Sequence, residues 1–332
     1  MTTRVQIVTP APAGTRNGNR VTALRWAMVL RRLGAHVRVT TAYDGAAVDL
    51  LVAVHAIKSG PSVAAARARD PGMPVVVALA GTDLYGDDAA AERAGLRDTL
   101  QDADRIVVLQ RAAVDALPET IRDKAHVIPQ SCSAPRPVPP PRDDIFEVCV
   151  VGHLRAVKDP LLCAKACRAL PEASRIEVVH IGAALGDSWA VAARREQDDN
   201  PRYRWCGPLR RQPTLETIAR ARVLVVTSRA EGGANVVSEA LVCGTPVLST
   251  RIDGSVGMLG EDYPGYFTVG DTMSLRDQLW RAESEPSFLA TLAARGEALA
   301  PAYAPQHEVA AWATVLETLG VRAPSAWPPA PS

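Results

Sequence analysis

The sequence predicts an α/β protein with two Rossmann-like, doubly wound parallel-sheet domains in tandem, and three observations lead there. The chain has 332 residues, enough for two domains of roughly 150 residues with a core in each. Short runs rich in Val and Ile alternate with longer stretches of helical period, which is the rhythm of βαβ units. That rhythm is interrupted once, by "SAPRPVPPPRDD" at 133–144, where proline fixes an extended connector; it then restarts.

In the first half, strands are expected at Val5–Val8, Val37–Thr40, Leu50–His55, Val75–Ala80, Ile106–Leu109 and Val127–Ile128. The first βα turn reads "TPAPAGTRNGNRVTALRWA". Gly14 and Gly18, with Asn17 and Asn19, allow close backbone approach, and a helix from about Val21 offers free N–H groups to an anion. The turn is not a dinucleotide fingerprint, because Gly14 and Gly18 stand four apart and no third glycine follows. A solvent-exposed turn explains the same residues equally well.

In the second half, strands are expected at 145–152, 176–182, 203–207, 222–228, 246–250 and 266–270. From His307 to Gly320, apolar Val309, Trp312, Ala313, Leu316 and Leu319 recur with helical period. The domains are therefore read as 1–134 and 145–302, joined by a linker at 135–144. A helix within 303–322 is expected to pack back towards the first domain, and the final "APSAWPPAPS" to fray.

Composition excludes several classes. Hydrophobic residues make up 47% and charged residues 22%, with a net charge of +1, an ordinary globular mix that argues against a disordered chain or a dedicated nucleic-acid binder. The opening "RVQIVTP" is no leader, and no apolar run reaches membrane-spanning length, so the protein is expected in the cytoplasm. Cysteines at 132, 149, 163, 167, 206 and 243 lack paired C-x-x-C spacing and read as reduced structural thiols. One D-x-D, Asp102 to Asp104, precedes a strand instead of following one and reads as chance.

Two segments carry chemistry. "VVGHLRAVKDP" places Arg155 and Lys158 after a buried strand, where open α/β sheets bind ligands, and two cations there suit a diphosphate. A solvated loop pair is the bland alternative. His153 is a weaker candidate beside them. "SRAEGGANVVSEALVCGTPVLST" reads as strand, turn and helix, the helix ending at Gly244 with Pro246 beyond. Backbone amides from Gly232 through Gly233, Ala234 and Asn235 to Val236 can cradle phosphate oxygens. Glu231 in the turn and Glu239 in the helix can accept from hydroxyls. A carboxylate is a poor neighbour for a diphosphate, so both should face neutral polyol, sugar or ribose. Otherwise Glu239 is a plain helix-surface residue.

The E-x7-E pair Glu231 and Glu239, followed by "GTPV", resembles the retaining, family 4-like glycosyltransferases of the GT-B fold, which include sucrose-phosphate and glycogen synthases. That resemblance implies the GT-B fold, with Glu231 on the donor hexose, Glu239 on the ribose, and Arg155 and Lys158 on the diphosphate. It also implies no metal and no further cofactor. "TPAPAGTRNGNRVTALRWA", "VAVHAIKSG" and "VALAGTDLYGD", with the two segments above, are similar to the selenosugar synthases of selenoneine biosynthesis. Those enzymes form a carbon–selenium bond from a UDP-sugar, typically UDP-N-acetylglucosamine, and selenophosphate, releasing UDP and phosphate.

On that resemblance the donor lies mainly on the second domain, with Gly14 and His153 contributing and Glu231, Arg155 and Lys158 catalytic. The acceptor lies on the first domain, with candidates Arg16, Asn17, Arg20, His55, Lys58, Thr82 and Asp83, and the cleft between the domains is the active site. His55 is as readily a hydrogen-bonded core histidine. Asp83 is expected to hold Arg20 or Lys58, or to cap the segment after it. Selenophosphate arrives already charged and asks for anion binding more than for a base. Functional links to a selenophosphate synthetase and a selenoneine synthase follow. Three alternatives share the donor segments: a transferase with a hydroxyl acceptor, a nucleotide-sugar 2-epimerase, and a non-catalytic sensor.

Overall fold

The computed structural model describes residues 2–15, 17–85 and 90–321. The candidate Arg16 and the terminal "APSAWPPAPS" lie outside the described residues. The chain divides into two compact units, one of residues up to Gln130 together with those from Pro305, the other Ser131–Ala304. Among the described residues, no helix is long and apolar enough to cross a membrane.

The first unit holds a parallel sheet of β1 (Arg4–Val8), β2 (His36–Thr40), β3 (Leu50–Val54), β4 (Val75–Ala78), β5 (Arg105–Val108) and β6 (Ala125–Val127), in the order β2-β1-β3-β4-β5-β6. β3 and β4 are buried along their whole length, as strands covered by helices on both faces must be. The expected strand through His55 stops at Val54, because His55 takes φ +73°, a left-handed conformation that leaves the sheet. The first helix spans Gly18–Arg32 and starts earlier than its apolar period suggests, since the Asn17 side chain accepts from the Arg20 N–H at 3.0 Å and sets the cap.

The helix Pro305–Thr318 belongs to this unit. Trp312 packs edge-on against Trp26 of the first helix, ring centroids 5.0 Å apart. Beside them the buried Glu308 carboxylate accepts from Trp26 Nε1 at 2.8 Å and Arg25 Nε at 3.1 Å, which satisfies a charge that would otherwise be costly to bury.

The second unit holds β7 (Phe146–Val151), β8 (Ile176–Ile181), β9 (Tyr203–Trp205), β10 (Val223–Val226), β11 (Val247–Thr250) and β12 (Tyr266–Phe267), all parallel, in the order β12-β11-β10-β7-β8-β9. One apolar core runs over both faces of the sheet. The direction of winding reverses between β7 and β10, which pair directly with Val223 opposite Val148 and Val225 opposite Val150. In an open α/β sheet, the crevice beyond the carboxyl ends of two such strands is where ligands bind.

All six cysteines are free thiols, four of them buried. Burial raises the Cys149 thiol and pushes Cys243 up to about 12, so neither supplies a thiolate near neutral pH.

Candidate functional site

At the second unit's switch point, the chain leaves β7 through Gly152 and His153 to a 3-10 turn at Ala156–Lys158, and leaves β10 through Thr227 to the Glu231 turn. The two loops meet there. The Lys158 ammonium is ion-paired with the Glu231 carboxylate, their side chains only 21% and 12% exposed. The sequence reading gave these groups separate ligands, and the structure brings them together. Beneath them lies a cavity of about 10 Å³ lined by Val150, Gly152, Lys158, His180, Thr227 and Val236, among others, room for about one water molecule.

Glycine makes this meeting possible twice. A Cβ at Gly182 would stand 1.9 Å from the Gly152 carbonyl oxygen, and one at Gly254 would stand 1.9 Å from that of Glu231. Under the first loop, His180 Nε2 lies 3.1 Å from the Gly152 carbonyl and Nδ1 lies 2.9 Å from the Tyr203 hydroxyl. A carbonyl only accepts, so Nε2 carries the proton and Nδ1 accepts from Tyr203. Burial disfavours the imidazolium and pushes His180 down to about 4, against the hydrogen bond to Gly152. A depressed pKa means that the unfolded state takes the proton first. Stability is thus expected to be held above about pH 6.5 and lost as pH falls towards 4. Melting temperatures across that range should drop less steeply for His180→Gln than for the wild type; parallel curves would rule His180 out.

His153 Nδ1 accepts from the Ala183 N–H at 3.1 Å, which turns its ring by a fixed hydrogen bond. Arg155 occupies the position before the 3-10 turn. The helix after Glu231 is Asn235–Cys243, with Ala234 at its N-cap, Gly244 at φ +75° as its stop and no acidic residue in its first turn, an end whose dipole favours negative charge. Gly232 and Gly233 lie between Glu231 and that helix, and Val236 is in its first turn. Glu239 is held from outside the segment: Arg211 Nη1 donates to its carboxylate at 2.9 Å, and Arg211 Nη2 lies 3.5 Å from Cys132 Sγ. Sequence reasoning missed Arg211, whose only local signal is a run of arginines before a helix.

In the first unit, the switch point falls between β1 and β3. Gly14, at φ +85°, lies in the loop after β1, and Asn17 and Arg20 open the helix that follows. His55 is the N-cap of the helix Ala56–Arg69, whose exposed Lys58 falls in its first turn. Neither this helix nor Gly18–Arg32 has an acidic residue in its first turn. His55 Nδ1 lies against one oxygen of the Asp83 carboxylate, and both side chains are buried. The other Asp83 oxygen accepts from the Ala56 N–H at 3.0 Å and the Ala80 N–H at 2.9 Å. Asp83 thus orients His55 and fastens two loops, a different partner set from the Arg20 or Lys58 expected of it. Thr82 lies in the helix Gly81–Tyr85; its side chain is outside what is described. Asp104 of the D-x-D accepts from Arg67 at 2.7 Å and from the Val75 N–H at 2.7 Å, a tie within the fold.

Two parallel, doubly wound sheets in tandem are the fold of the GT-B glycosyltransferases. Residues 135–298 match the family model of Glycosyl transferases group 1, a span that contains Arg155, Lys158, Arg211, Glu231 and Glu239. Solved structures agree in fold over nearly the whole chain. Sucrose-phosphate synthase from Thermosynechococcus elongatus superposes with a TM-score of 0.80 at 14% identity, covering 96% of this chain and 99% of that one. HepE of Anabaena, solved in complex with UDP and glucose, gives 0.76 at 15% identity, covering 95% and 100%. A glycosyltransferase from Rickettsia africae gives 0.76 at 11%, covering 96% and 98%. No curated protein matches the chain.

Proposed function

We propose that this protein is a UDP-sugar-dependent glycosyltransferase of the selenosugar synthase type. The observation that carries the transferase reading is the meeting of Lys158 and Glu231 at the second unit's switch point, beside a helix N-terminus free of acidic residues. Lys158, Arg155 and the amides from Gly232 to Val236 receive the diphosphate. Glu231 accepts from the donor sugar, Glu239 from the ribose. Fixed cations and a helix end stabilise the leaving UDP, so no metal is required.

For the acceptor, the supporting observations are in the first unit. Arg20 and Lys58 stand in the first turns of helices that carry no acidic residue there, as binding of an anion such as selenophosphate favours, and the Asp83 carboxylate at the start of the Lys58 helix is already occupied by the Ala56 and Ala80 N–H groups. Selenium attacks the anomeric carbon, the bond to the UDP oxygen breaks and UDP leaves with the electron pair. Water then cleaves the selenium–phosphorus bond, giving the selenosugar and inorganic phosphate. A hydroxyl acceptor is the second reading, and the buried His55–Asp83 pair favours it, because an imidazole oriented by a carboxylate can take a proton.

One time course separates the two. With selenophosphate and a panel of UDP-sugars, in EDTA, UDP, phosphate and a selenium-containing sugar should accumulate together. Arg20→Ala and Lys58→Ala should raise the acceptor KM far more than the donor KM, each removing a charge-assisted contact of roughly 1.5–3 kcal/mol. UDP release without selenium in the product would reject selenium transfer, and strict dependence on a divalent ion would reject the metal-free account.

A further inference from the structure

The loops that carry Lys158 and Glu231 are fastened to each other at three further points. Thr227 Oγ1 donates to the Lys158 carbonyl at 2.7 Å. The Arg229 N–H donates to the Val157 carbonyl at 2.8 Å. The Arg229 guanidinium donates to Asp159 Oδ2 at 2.5 Å. Asp159 follows Lys158 directly, and Arg229 precedes Glu231 by two residues, so this clamp grips each loop beside the group it presents.

Asp159 holds its place at φ +41°, ψ +57°, the left-handed region that glycine enters without steric cost and aspartate with some. Its carboxylate, 19% exposed, faces the Arg229 side chain, 55% exposed. Gly270, at φ +72°, leaves space on the other side: a Cβ there would stand 3.2 Å from Arg229 Nη2. The Lys158–Glu231 pair and the Arg229–Asp159 pair differ in what a ligand does to them. A diphosphate that takes Lys158 competes with Glu231 for it, whereas the Arg229–Asp159 pair can persist while that exchange occurs.

Resting on the UDP-sugar reading above, we propose that Arg229 and Asp159 are positioning residues, which hold the Lys158 ammonium and the Glu231 carboxylate at the separation that a nucleoside diphosphate sugar requires once their own ion pair opens. A half-exposed ion pair adds little to stability, so its loss should register in binding and leave melting almost unchanged. Asp159→Gly sharpens the contrast, because it relieves the backbone while deleting the clamp.

Wild type, Arg229→Ala, Arg229→Lys, Asp159→Gly and the double variant Arg229→Ala/Asp159→Gly are titrated with UDP by calorimetry, with melting temperatures measured in parallel. Arg229→Ala and Asp159→Gly should each weaken UDP about tenfold at an unchanged or, for Asp159→Gly, higher melting temperature. Arg229→Lys should recover most of the loss, and the double variant should bind no worse than the weaker single one. Wild-type affinity in the single variants overturns the positioning role, as does weakened binding that tracks a lowered melting temperature. A wild type that fails to bind UDP overturns the UDP-sugar reading itself, and that failure appears before any variant is compared.

Discussion

Lys158→Ala should lower kcat/KM by about a hundredfold to a thousandfold, the scale seen when a preorganised group is removed from developing negative charge. Two effects combine in that loss. On the proposed donor role the leaving diphosphate loses a fixed cation, and Glu231, whose side chain is only 12% exposed, is left without the Lys158 counter-charge. Glu231→Ala should cost about tenfold to a hundredfold, as a sugar contact that strengthens in the transition state does. In the double variant the stranded carboxylate is gone, so its loss should fall well short of the product of the two single losses. Purely multiplicative losses across the four proteins would show that Lys158 and Glu231 act independently, and unchanged kinetics in both single variants, with folding intact, would remove them from the site.

Gly254→Ala and Gly182→Ala should be nearly as damaging although neither residue touches a ligand in the reading above. The added Cβ at 254 meets the Glu231 carbonyl oxygen at 1.9 Å and its carbonyl carbon at 2.7 Å; the one at 182 meets the Gly152 oxygen at 1.9 Å and the His153 nitrogen at 3.0 Å. These are backbone atoms and cannot rotate away, so each loop has to shift. Overpacking of this kind costs about 1–3 kcal/mol of stability, and a displaced catalytic loop can cost about a hundredfold in rate. Gly95→Ala is the control: it is exposed, in the helix Ala90–Asp102, with nothing within 4 Å of the added atom, and alanine there should stabilise slightly. Wild-type kcat/KM in Gly254→Ala would show that the Glu231 turn does not need its present position.

Much of this site can be read along the chain, and the unread remainder has a common cause. Strand periodicity and the E-x7-E spacing are local signals, and they locate β7, β10 and the turn that opens the helix Asn235–Cys243. Contacts between residues far apart in sequence leave no periodic trace. Arg211 and Glu239, Arg229 and Asp159, and Gly182 beneath Gly152 become neighbours only in the folded unit, the second pair through the β7–β10 pairing and the third through β7–β8. The pairing of Lys158 with Glu231 belongs to the same group: the sequence suggests each residue and is silent on their meeting. His55 shows the other limit. Core histidine and site histidine look alike in sequence, and the structure gives it features of both, buried against Asp83 at the carboxyl end of β3.

The crossing of the chain back into its first unit bears on synthesis. A ribosome delivers residues 131–304 as one contiguous segment, so the second unit can close its core as soon as that segment emerges. The first unit has to wait. Its Trp26 stays without Trp312, and its Arg25 without Glu308, through the whole emergence of the other unit. A nascent chain at that stage holds an exposed apolar seam along Gly18–Arg32, of the kind that chaperones cover, and a premature stop before Trp312 would harm the half of the protein made first while sparing the half made second.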